Sequence, residues 1–147
     1  MKFTGKTNIN APLETVWAFL IDANQVAACA PGVESMEVVE ENKKFKVVAS
    51  VGFGNIKAKF DNDIEFLEIH ELSMAKIKAH GTAPGSAADV IATMRISKVD
   101  DNITDLDWEA EINVMGTIAS LASRMMGSVV GKISAQFFDC VKAKIEG

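Results

Sequence analysis

The sequence predicts an α+β fold in which a curved antiparallel sheet of about seven strands wraps around one long C-terminal helix, with two short helices after the first strand. Three observations carry this. A long central stretch alternates apolar and polar residues with period two. The run from Thr117 to Ile145 repeats apolar side chains at i, i+3, i+4 and i+7. A proline-led block between Ala11 and Gly32 interrupts the strand pattern after its first segment.

The first strand covers Lys2 to Asn10. Pro12 suits a first helical position, where no backbone donor is needed, and Val16, Trp17, Leu20 and Ile21 recur behind it at helical spacing. Asn24 is the expected cap of a second, shorter helix. Pro31-Gly32 ends it, because proline disfavours helix in the residue before it and glycine accepts a reversing turn. Between Ser35 and Val114 the chain reads as six strands. Glu40-Glu41-Asn42-Lys43 turns the first into the second, with Asn42 best able to take a left-handed conformation. Gly52-Phe53-Gly54 reads as a hairpin or bend, since it lacks a third glycine and a following helix that would make it a dinucleotide loop. Later turns fall near His70-Glu71, at Gly81 to Gly85 and at Asp100-Asp101-Asn102.

Alternation assigns one sheet face to solvent and the other to a covering element, which must be the long amphipathic helix. On the inner face, Ala49, Ala58, Ala75, Ala79, Ala88, Ala92 and Ala110 are small, and the helix brings Ala119, Ala122, Gly127 and Gly131 toward them. Interiors are close-packed, so volume that such residues leave open either collapses or holds something. The reading is an elongated apolar pocket. Its expected lining is Phe45, Val47 and Val51 from one strand, Phe60 from the next, Ile77 and Ala79, then Val90, Ala92 and Met94, then Trp108 and Ala110, and Leu121, Met125, Met126 and Val129 from the helix. The competing reading is that Phe45, Phe60, Phe66, Trp108, Met125 and Met126 fill the space.

At 147 residues the chain fits one domain, residues 1–147, large enough for a core without metals or disulfides. Hydrophobic residues make up 48% of it, yet no apolar run is long enough to span a bilayer and the first residues alternate instead of forming a signal peptide. The expected location is the cytoplasm. A formal charge of −5, with lysines interleaved among acids, argues against nucleic acid and against purely electrostatic docking on anionic lipid. Cys29 and Cys140 stand far apart in sequence with no CxxC, so the expectation is two buried free thiols and no metal site, a pair bridged in the fold being the alternative that a reducing compartment disfavours.

Candidates for chemistry are few. His70 falls near a turn and His80 on the solvated phase of its strand; there is no tyrosine; the arginines are Arg95, on the wet face, and Arg124, beside the apolar helical stripe, where a solvated residue is favoured over a gate. No GxSxG is present to make a serine nucleophile, and Asp61, Asp63, Asp107 and Glu109 alternate outward. No catalytic residue and no cofactor is expected.

Several pieces, in order, resemble the CoxG family of carbon monoxide dehydrogenase subunits, within the START-like (SRPBCC), helix-grip superfamily. They are the first strand, Ala11-Pro12, Val16-Trp17-Ala18-Phe19-Leu20, Ala27-Ala28-Cys29-Ala30-Pro31-Gly32, Val51-Gly52 with Ile56-Lys57-Ala58-Lys59-Phe60, Gly81 to Gly85, and Gly116 opening the last helix. The resemblance implies a non-enzymatic carrier of a hydrophobic ligand, lipid or isoprenoid quinone. Such a carrier would accompany a molybdenum hydroxylase-type dehydrogenase, delivering quinone or aiding recruitment to the cytoplasmic membrane face, with transient membrane contact at most. Two other readings stay open: a maturation or docking subunit without bound lipid, and a START-like cyclase or hydratase acting on a bulky apolar substrate.

Overall fold

The computed structural model describes residues 1–146. The chain runs β1 (Lys2–Ile9), α1 (Leu13–Leu20), α2 (Ala23–Cys29), β2 (Val33–Glu40), β3 (Lys44–Phe53), β4 (Ile56–His70), β5 (Met74–Ala83), β6 (Ser86–Asp100), β7 (Ile103–Gly116) and α3 (Ala119–Ile145). The seven strands form one antiparallel sheet in the order β1-β7-β6-β5-β4-β3-β2. β2 to β7 thus make a meander of hairpins, and β1 adds itself beside β7. Asn42 takes the left-handed conformation expected of it, with φ 61°, at the β2–β3 turn. Leu72 does the same at the β4–β5 turn with φ 61°, a costly backbone for a leucine. Its side chain packs against the main core cluster, which holds it there.

Two helix starts differ from expectation. Pro12 is the N-cap of α1, its extended backbone (φ −60°, ψ 151°) placing its carbonyl to accept the Val16 N–H at 3.1 Å. α2 is capped by Asp22, two residues before Asn24, which lies inside the helix. One Asp22 oxygen accepts the N–H groups of Asn24 (3.1 Å) and Gln25 (3.3 Å), and the other accepts Gln25 Nε2 at 2.9 Å. An acidic residue followed three positions later by glutamine is a variant of the capping-box pattern, and it outcompetes an amide.

A second correction concerns the cysteines. Cys29 and Cys140 are not free thiols; they form a disulfide across a sequence separation of 111, with Cα atoms 5.4 Å apart. The end of α2 lies against the C-terminal half of α3, so a pair remote along the chain becomes adjacent, at a spacing within the normal range for a disulfide.

The core divides into two clusters. One gathers Ile9, Val16, Trp17, Phe19 and Leu20 with Leu106 and Val141, under α1; within it the buried Thr104 hydroxyl donates to the Ala11 carbonyl at 2.9 Å, fixing the entry of α1 on β7. The other gathers Phe53, Ala122 and Met126 near the start of α3. The α3 backbone comes closest to α2, β1, β3 and β7. In front of the middle strands, between the two clusters, the sheet and α3 do not meet.

Candidate functional site

That separation leaves a cavity of about 420 Å³. Its floor is the inner face of the middle strands, where Ala49, Ala88 and Ala92 are too short to reach α3, and its roof is the α3 face carrying Met126, Val129, Val130, Ile133, Phe137 and Phe138. These large apolar residues, Met126 excepted, are only half-buried, although they point inward, because part of their surface faces the cavity rather than protein. A smaller chamber of about 130 Å³ lies under α2, lined by Ala23, Ala27, Ala30, Met36, Phe45, Val47, Ile64 and Phe66 among others. Val26, Ile77 and Met94 line both spaces and form the partition between them.

A third space, a groove of about 430 Å³, runs between β1 and α3 along Thr4, Gly5, Lys6, Gly127 and Gly131. It shares Trp108, Val130, Ser134 and Phe138 with the main cavity, so these four side chains stand between cavity and surface. The Trp108 ring lies over Gly5, where a Cβ would come within 2.5 Å of it. Gly127 and Gly131 face open space, with nothing within 4 Å of an added Cβ.

Of the residues expected to line the pocket, Val51, Phe60, Ile77, Val90, Ala92, Met94, Trp108, Met126 and Val129 stand around the main cavity. Phe45 and Val47 border the smaller chamber instead. Ala79, Ala110, Leu121 and Met125 border neither: the alanines sit on the inner face without reaching the open volume, and Leu121 and Met125 pack against the cluster of Phe53, Ala122 and Met126. The space is therefore not filled by Phe60, Trp108 and Met126, which wall it. Sequence reasoning misses Phe53, which reads as part of a bend although it continues the inner phase of Val51. It also misses the polar residues Asn62 and Ser134, and Glu109, whose outward phase does not keep it from bordering the cavity. Asn62 occupies the inner phase between Phe60 and Ile64, so the alternation itself carries its signal.

Most of the charge on the sheet lies on its opposite face; Glu109 is the charged residue that also borders the main cavity. On that opposite face cross-strand neighbours alternate in sign, as in Lys46 beside Asp63 and Lys44 beside Glu65, an arrangement that stabilises antiparallel pairs. His80 lies there, its Nδ1 2.6 Å from Asp89. Glu109 is held below the usual carboxylate range by its hydrogen bond and ion pair with Lys2, and Glu34 by the Ser50 hydroxyl and Lys59. Arg124 is exposed and borders none of the three spaces. Among the described residues there is no group of three or more His, Cys, Asp or Glu placed to hold a metal ion, and no helix long and apolar enough to cross a membrane. No side chain lining the main cavity pairs an imidazole with a carboxyl group.

Solved structures share this architecture. A conserved protein from Geobacillus kaustophilus superimposes with a TM-score of 0.91 at 24% identity, covering 99% of this chain and 95% of that one. The Zhui aromatase/cyclase from Streptomyces sp. R1128 gives 0.77 at 18% identity, with 99% and 93% covered. A START superfamily protein from Mycobacterium smegmatis gives 0.74 at 10% identity, with 99% and 97% covered. At these identities the likeness establishes the helix-grip, START-like fold. No curated protein matches the sequence significantly. The family model of CoxG, a carbon monoxide dehydrogenase subunit, matches residues 5–146, nearly the whole length, and the chain belongs to that family.

Proposed function

We propose that this protein is a non-enzymatic carrier of a hydrophobic ligand, a lipid or an isoprenoid quinone, serving a carbon monoxide dehydrogenase or related molybdenum hydroxylase. The observation that carries the reading is the cavity of about 420 Å³ with its apolar walls, within the range of small-molecule sites. An isoprenoid tail exposed to water costs about 0.8 kcal/mol per methylene, and a sleeve of valine, isoleucine, phenylalanine and methionine removes that cost. A dehydrogenase acting in water would need such a sleeve to exchange electrons with a membrane-soluble acceptor. The groove between β1 and α3 is the route we assign to the ligand, with Trp108 and Phe138 as its inner gate. Work at the cytoplasmic face of the membrane, with transient contact, completes the proposal.

A cyclase or hydratase reading is less well supported. One fold neighbour is an aromatase/cyclase, but general acid–base catalysis needs a titratable group within reach of the substrate. Here His80 and Asp107 direct their charge to the outer face, and Glu109, which borders the cavity, is paired with Lys2 and held below the usual carboxylate range.

The test is mass spectrometry of organic extracts from protein purified natively without detergent, beside a denatured control. A stoichiometric lipid or quinone is the expected result. An empty protein whose melting temperature does not respond to quinone analogues, yet which co-purifies with dehydrogenase subunits, overturns the carrier in favour of a docking or maturation role.

A further inference from the structure

The polar groups inside the cavity bear on what its ligand carries at its head. Asn62 projects from β4 among apolar neighbours. Its Nδ2 donates to the carbonyls of Val47 (3.1 Å) and Phe60 (3.2 Å). Both partners are acceptors only, so the amide orientation is fixed by chemistry: nitrogen toward the backbone, oxygen away from it. Oδ1 lies over Gly81 of the adjacent strand, and a Cβ at that position would collide with it. The next residue along the same ladder, Ala88, is also small. Gly81 thus makes room for the oxygen itself, Ala88 beyond it borders the cavity, and among the described residues no donor bonds to the oxygen. Two further polar residues border the cavity: Ser134, between cavity and groove, donates to the Gly131 carbonyl at 3.2 Å, which leaves its oxygen as an acceptor, and Glu109 has its carboxylate paired with Lys2.

We infer that the cavity selects amphiphiles whose head donates a hydrogen bond, such as a phenol, an alcohol or a quinol, and that Asn62 Oδ1 is the acceptor that selects them. The inference rests on the carrier reading and narrows its cargo. A quinone ring presents two carbonyl acceptors and no donor, so it leaves Asn62 unpartnered. Its quinol, carrying two more electrons and two more protons, presents O–H donors. An acceptor that the ligand covers and leaves without a partner penalises the wrong ligand more than a formed bond rewards the right one. Of two redox forms with the same tail, the cavity prefers the reduced one.

The experiment compares 4-nonylphenol with its methyl ether, probes that share a tail and differ in the donor, by titration calorimetry against wild type and Asn62→Leu. The phenol is expected to bind wild type about three- to tenfold more tightly than the ether, the scale of one hydrogen bond. Asn62→Leu is expected to lose that preference while keeping the ether's affinity. Equal binding of the two probes by wild type, or a preference that survives in Asn62→Leu, overturns the inference and leaves the carrier intact. Binding of neither probe overturns the carrier and the inference with it. The wild-type comparison needs no variant, and Asn62→Ala replaces the leucine variant if that one does not fold.

Discussion

Cys29 and Cys140 tie the end of α2 to α3 across 111 positions of chain. The link matters to the cavity because α2 carries Val26, part of the partition between the two chambers, and α3 carries the roof. Closing so long a loop restricts the unfolded chain, and replacing either cysteine by serine is expected to destabilise the protein by about 2–4 kcal/mol. Chemical denaturation of Cys140→Ser beside oxidised wild type measures this. Equal midpoints would mean that the pair does not hold the fold together, and intact mass before and after reduction reports the bond itself.

Asp22 extends the same point to pH. Its carboxyl is held below its ordinary value of 3.8 by the Gln25 side-chain hydrogen bond first, and then by the backbone N–H groups of Gln25 and Asn24. A depressed acid stabilises the fold above its unfolded pKa, and that contribution is lost as pH falls through the lower, folded value. Asp22→Ala is therefore expected to melt below wild type at neutral pH, with the difference shrinking under acid as the wild-type carboxylate protonates. Thermal melts across the acid range test this; a gap that stays constant down to the most acid point would contradict it.

Element order and the inward phase of each strand were legible because alternation is a local property. Ala49, Ala88 and Ala92 announce their face from their neighbours alone, and a row of alanines there signals unfilled volume. How far the volume extends is not local. It depends on where α3 approaches the sheet, which is why Ala79 and Ala110 share the inward phase with Ala92 but lie outside the cavity. Leu121 and Met125 share the apolar stripe of α3 with Val129, yet close one end of the core. Phe53 was obscured by its flanking glycines, which suggest a bend while the strand runs on through the first of them. The disulfide was hidden because sequence distance says nothing of the distance between α2 and α3.

If the cavity is a ligand site, filling it should abolish binding without unfolding the chain. Ala92 lines it, between Ile77 and Ala110 of the neighbouring strands. Overpacking a filled core costs about 1–3 kcal/mol, whereas a phenylalanine at Ala92 enters open space. Ala92→Phe is expected to keep wild-type stability and yield no extractable lipid or quinone. A variant that still carries its ligand would move the binding site elsewhere on the protein.

Gly127 and Gly131 test the entry route separately from the site. Each lies within α3 beside the groove, where an added side chain meets nothing within 4 Å. Glycine inside a helix is less favourable than leucine by roughly 0.5–1 kcal/mol, so Gly131→Leu is expected to raise stability slightly while its side chain occupies the groove. Stability and access then change in opposite senses, which a general loss of structure cannot imitate. The expected readout is slower uptake and slower release of a fluorescent alkylphenol by stopped flow, with little change in its equilibrium affinity, because both rates cross the same barrier. Unaltered rates in Gly131→Leu and in the Gly127→Leu/Gly131→Leu double variant would exclude the passage between β1 and α3, leaving the cavity as the site but with another door.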